Sequence, residues 1–388
     1  MQSNRLIVQL LWSLTLAGAF AACSGLGHSG STAPSTIPYA QTRPAQSAGH
    51  PNATVYFAYV VNAASSNVSA YAIASSGALT QVKGSPFAAG ADPSGIAIDP
   101  NGKFTYVANA GSDNVSAYAI NASTGALTQV KGSPFKGVYG PVRVAIDPSG
   151  KFAYVTNNLN SSDNVTAYAI NASTGALTQV KGSPFAAGAK PVGVATDPTG
   201  KFAYVTNYEA ADVSAYSINA SSGALTQVKG SPFAAGTGPY GVAIDPSDKF
   251  AYVTNNVTDT ISAYAVNASS GALTQVKGSP FAGGNDPCGL AIDRSGKFAY
   301  VANANGNNVS AYAINASSGA LTQVKGSPFA TDTTPLAVAI DPSGKFAYVV
   351  NESSGNVSGY AVNASGGLTQ LKGSPFAAGS SPQGIAIQ

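Results

Sequence analysis

Charge is scarce in this 388-residue chain: Asp, Glu, Lys and Arg together make up 9% of it. The formal net charge is +3 and no run of Lys or Arg exists, which excludes the basic face that nucleic-acid binding requires. Residues of the usual catalytic and metal-ligating types are also few. The two histidines, His28 and His50, lie near the N-terminus, so beyond residue 50 no imidazole is available for a Ser-His-Asp arrangement or a His-based zinc site. The single tryptophan, Trp12, is equally N-terminal, which leaves tyrosine to supply any sugar-stacking surface. No segment after the first 22 residues carries a helical period, and no glycine-rich loop follows a strand and opens a helix to cradle phosphate.

What is present is repetition. The phrase Lys-Phe-Ala-Tyr-Val-Thr-Asn, or a near variant, places tyrosines at 59, 106, 154, 204, 252, 300 and 348, spaced by 47 to 50 residues. Within one copy, Gly95–Asp99, Phe104–Asn109, Val115–Ile120 and Ala126–Val130 are short runs rich in Val, Ile, Tyr, Phe and Thr. Each is bounded by Gly, Pro, Asn or Asp, which is the signature of four strands (A to D, with A innermost) in an antiparallel meander. Seven such units predict an all-β, seven-bladed β-propeller. The first copy enters at strand B and the chain stops at Gly384–Ile387, a lone strand A. The C-terminal strand is therefore expected to complete the first blade and close the ring.

The N-terminus reads differently. Arg5, the apolar stretch Leu6–Leu16 and the small residues that follow read as a signal peptide over 1–22. Phe20-Ala21-Ala22-Cys23 resembles a bacterial lipobox, which implies lipidation at Cys23. Residues 23–52, rich in Ser, Gly, Ala and Pro, read as a flexible tether, and 53–388 as the propeller. These features predict an exported bacterial lipoprotein on the outer membrane or cell surface, or otherwise a periplasmic or secreted protein. Its membrane contact would run through the lipid alone.

Comparison among the copies separates scaffold from freedom. The A–B and C–D turns barely change, whereas the B–C loops and the D–A crossings vary, and a meander puts these two on one face. Nine acids fall in the variable loops: Asp92, Asp113, Asp163, Glu209, Asp212, Asp259, Asp286, Asp332 and Glu352. Three cations oppose them, Lys136, Arg143 and Lys190. Oxygen donors of this kind suit Ca2+, the one cofactor the sequence suggests. Arg143 stands where other copies have Gly or Ala, at the start of an inner strand, and is expected to reach the channel mouth. Tyr139, Tyr208 and Tyr240 flank it, with Lys136 and Lys190, as candidate ligand-binding residues. Cys288, directly after Pro287, reads as a packed side chain.

Lys-Phe-Ala-Tyr-Val-Thr-Asn at 151–157, with Ser-Ala-Tyr-Ala-Ile and Gly-Ala-Leu-Thr in neighbouring copies, resembles the YVTN-type repeat. Over 53–388 the chain is similar to the bacterial seven-bladed lactonase family, typified by a 6-phosphogluconolactonase. That resemblance implies the propeller fold and admits lactone hydrolysis, with a channel-mouth set of Arg, Glu and His in the enzymes. Here Glu209 would be the base and Arg143, with Lys190 or Lys136, the anion clamp. The preferred reading is a non-catalytic, tethered binding module. It would recognise a cell-envelope component or small molecule through its variable-loop face and is expected to be monomeric. Lactone hydrolysis is the alternative, and a purely surface-coating role the third reading.

Overall fold

A computed structural model describes residues 55–159 and 162–388. The expected signal, lipidation and tether segments lie outside the described residues. Seven sheets surround one axis. Six of them run as A to D blades in sequence order, from Pro93–Ile98, Phe104–Asn109, Asn114–Ile120 and Leu127–Gln129 in the second blade to Pro335–Ile340 and its partners in the seventh. In the first blade, Tyr56–Asn62, Asn67–Ile73 and Leu79–Gln81 receive Pro382–Ile387 as inner strand, antiparallel, with Ala58 opposite Ile387 and Val60 opposite Ile385. The expected terminal closure is therefore present. Among the described residues no helix is long and apolar enough to cross a membrane.

The outer strand is broken in a way the strand pattern did not reveal. In the fourth blade strand C pairs first with Leu225–Gln227, then the chain bows out, and Phe233–Ala234 returns to pair with the start of the same strand. The Ser of each Gly-Ser-Pro-Phe segment sits at the break. Ser231 Oγ accepts the Ala215 N–H at 2.9 Å, so a side-chain oxygen supplies the acceptor that the interrupted ladder lacks. The same bond recurs in every blade, from Ser85 to Ser374.

The core lies between blades. Phe152, Tyr154 and Val165 of the third blade pack on Val194, Val205, Tyr216 and Leu225 of the fourth, and equivalent clusters follow around the ring. The repeated tyrosine of strand B is buried and donates its hydroxyl to the C–D turn glycine of the next blade, as Tyr154 does to Gly223 O at 3.1 Å. A Cβ on Gly223, whose φ is +75°, would lie 2.3 Å from Phe152 Cδ1. Only glycine fits both the left-handed turn and the close ring. The tyrosine of strand C makes a second inter-blade bond, as Tyr216 does to Ala186 O at 2.6 Å. Fourteen of the nineteen tyrosines thus tie blade to blade.

Candidate active site at the axial mouth

Both variable connections do meet on one face. In each blade the residue before the strand-A proline accepts, through its carbonyl, the N–H of the first B–C loop residue: Asp92 from Ala110, Lys190 from Tyr208, Asp286 from Ala304 and Thr334 from Glu352, among the seven. All seven of these pre-proline residues have φ between 53° and 68°, although only Gly140 and Gly238 are glycines. Asp at two of the positions is tolerated because its short side chain is compatible with this region. A ring of paired positions therefore encircles the axis, and its side chains are where the copies differ.

One step below, the second residue of each inner strand forms a collar: Gln383, Ser94, Val142, Val192, Tyr240, Cys288 and Leu336, all buried. The inner strands pack so closely that a Cβ on Gly193 would come within 2.4 Å of Tyr240 O, which explains the preference for glycine at the third residue. Arg143 occupies that third position in the third blade and is 1% exposed. It does reach the axis, and among the described residues its side chain meets carbonyls and a phenol there. Nη1 donates to Val142 O at 2.9 Å and Ser94 O at 3.4 Å, and Nη2 donates to Tyr240 Oη at 3.2 Å. Its guanidinium also lies 5.6 Å from the Tyr240 ring centroid. Burial pulls the guanidinium below its ordinary pKa, yet it remains a cation at neutral pH.

Tyr240 is held neutral, its pKa raised well above the usual phenol value chiefly by burial. Because its oxygen accepts from Arg143, its own proton is directed elsewhere. Beside it runs a polar chain. Tyr208 Oη donates to Asn256 Oδ1 at 3.2 Å, and Asn256 Nδ2 donates to Asp286 Oδ1. Asp286 is 3% exposed, and burial, with a smaller contribution from Asp259, pushes its carboxyl up to about 7. In the next blade Glu352 is also buried and shifted upward by burial.

The structure thus gathers Arg143, Tyr208 and Tyr240 at the axis. It does not bring Arg143 and Glu209 together: the Glu209 carboxylate, 43% exposed, forms an ion pair with Lys190 on the rim. Lys136 is exposed and offers its carbonyl to Tyr168, and Tyr139 is 61% exposed. Cys288 is packed as expected, with its sulfur 3.8 Å from Asn256 Nδ2. Sequence reasoning ranked Asp286 only as one of nine loop acids. No periodic signal marks its burial, which arises from neighbours on other blades. No group of three or more His, Cys, Asp or Glu side chains among the described residues forms a metal-binding cluster.

The sequence matches the lactonase family of seven-bladed β-propellers over residues 46–196 and 186–382. Among solved structures, it is similar to a protein of Bacteroides fragilis provisionally named a 6-phosphogluconolactonase, at 19% identity and TM-score 0.76, with 88% of this chain and 100% of that one covered. A periplasmic gluconolactonase of Pseudomonas aeruginosa aligns at 20% identity and TM-score 0.71, over 86% and 99%. At these identities the likeness concerns the fold. No curated protein matches the chain. With the family match spanning nearly the whole described propeller, this chain belongs to the seven-bladed β-propeller lactonase family.

Proposed function

We propose that the protein hydrolyses small, unphosphorylated lactones at the axial mouth, with Asp286 as general base and Tyr240, backed by Arg143, as oxyanion donor. The observation that carries this reading is the buried chain Tyr208–Asn256–Asp286 beside the Arg143–Tyr240 pair. A carboxyl poised at about 7 and held in orientation by an amide is matched to taking a proton from water. The resulting hydroxide adds to the lactone carbonyl, and Tyr240 donates to the oxygen on which charge develops. Collapse breaks the ring C–O bond, and the proton held by Asp286 passes to the departing alkoxide, so the products are a hydroxy acid and regenerated carboxylate.

The charge balance at the mouth supports a neutral substrate. Lys190 pairs with Glu209, and Arg143 with Tyr240 and backbone carbonyls, whereas the Asp286 carboxylate would repel a phosphate. Export as a lipoprotein, which the N-terminal sequence supports, would equally remove the protein from phosphorylated cytosolic metabolites. The name of the Pseudomonas relative points the same way.

The test is hydrolysis of a panel of sugar and aliphatic lactones by the full chain against the spontaneous rate, with Asp286→Asn beside it. Turnover lost in the variant supports the assignment. A rate equal to background across the panel sinks it and favours the binding-module reading, which rests on the confinement of loop diversity to this face.

A further inference from the structure

On the other side of the axis, between the seventh, first and second blades, we infer a hard-cation site built from Glu352, Gln383 and Asp92. Glu352 Oε1 accepts from Ser381 Oγ and Gln383 Nε2, both at 2.9 Å. These bonds spend the hydroxyl of Ser381 and orient the amide of Gln383, yet the other oxygen of each group is left over. Glu352 Oε2 and Gln383 Oε1 are buried without a hydrogen-bond partner among the described residues, in side chains 6% and 1% exposed. The two orphan oxygens belong to groups that one hydrogen bond, Gln383 Nε2 to Glu352 Oε1, holds side by side.

A buried carboxylate oxygen without a partner is costly, and an amide oxygen beside it adds to the cost. A bound water could donate to both, but it would leave the charge untouched. Asp92, in the pre-proline position of the second blade, is close enough to Glu352 to repel it, and burial raises its carboxyl to about 6. Among the described residues no cationic side chain lowers either acid. Two carboxylates and an amide carbonyl, all oxygen, are matched to an electron-pair acceptor. That chemistry selects a hard divalent cation of the Ca2+ type, its remaining positions filled by water. With only three protein ligands its affinity belongs in the range of extracellular calcium modules, about 10⁻⁴ to 10⁻³ M.

The experiment uses the full chain, with Ca2+ titrated by calorimetry and Tb3+ by luminescence sensitised through tyrosine. One saturable site per chain is expected, with a Ca2+-dependent rise in Tm. Glu352→Gln and Asp92→Asn should each weaken binding at least tenfold and abolish the Tm increment. Asp332→Asn, at a half-buried loop acid already hydrogen-bonded to Asn356, should leave both unchanged. Absence of saturable binding overturns the inference, as does binding that survives Glu352→Gln and Asp92→Asn. Because none of these residues is assigned to the lactone chemistry, turnover without Ca2+ binding would separate the failure of one proposal from that of the other.

Discussion

Tyr348 of the seventh blade donates its hydroxyl to Gly77 O of the first, 2.7 Å away and 271 residues apart in the chain. It is the same bond that links every other adjacent pair of blades, here placed across the seam where the ends of the propeller meet. Tyr348→Phe should remove one buried bond while keeping the ring in place, at a cost of about 1–2 kcal/mol with the Gly77 carbonyl left unsatisfied. Urea denaturation would measure this, and an unchanged midpoint would show that the bond contributes nothing net.

A larger cost is expected at the glycine end of such a contact. In Gly223→Ala the new methyl would meet the Phe152 ring at 2.3 Å while φ stays at +75°. Left-handed strain and overpacking together predict a loss of about 2–4 kcal/mol. A stability within 0.5 kcal/mol of the parent would refute this account of why the turn keeps glycine.

The Asp286 carboxyl links stability and turnover to pH in opposite senses. Its folded pKa of about 7 lies above the unfolded value, so the folded chain holds this proton more tightly. Its stabilising contribution is full below about pH 4, declines as pH rises, and is gone above about 7. Asp286→Asn should therefore flatten the fall in stability across that window. Lactone turnover should instead rise through about pH 7, as the base ionises. Stability curves of parent and variant that run parallel from pH 4 to 8 would contradict the assignment.

Arg143 and Tyr240 should act as one unit. Tyr240→Phe removes the proposed oxyanion donor, and Arg143→Ala removes the charge behind it. Each is expected to lower kcat by about 10²-fold or more with KM little changed. The double variant should be scarcely worse than either single one. An effect confined to KM would instead make the pair a binding element.

Glu209→Gln provides the contrast. Its ion pair with Lys190 is partly exposed, with side chains 43% and 22% accessible, so it should contribute under about 1 kcal/mol. Turnover should stay within about twofold of the parent. A collapse comparable to that of Asp286→Asn would return the base to the rim, where the sequence had suggested it.

The sequence by itself determined the ring. Seven copies of one strand pattern specify blade number, strand order, terminal closure and the face on which variation collects, because turn residues and two-residue alternation are local properties. Comparing copies also exposed Arg143 as a departure from Gly or Ala. Only the tertiary structure decided what the departures do. The break in the outer strand depends on a serine hydroxyl bonding across the sheet, and the role of the repeated tyrosine on a glycine in the next blade. Nine loop acids look alike in one dimension. Asp286 and Glu352 become distinct from Glu209 because burial and neighbours from other blades set their protonation and partners, and those neighbours meet only when the ring closes.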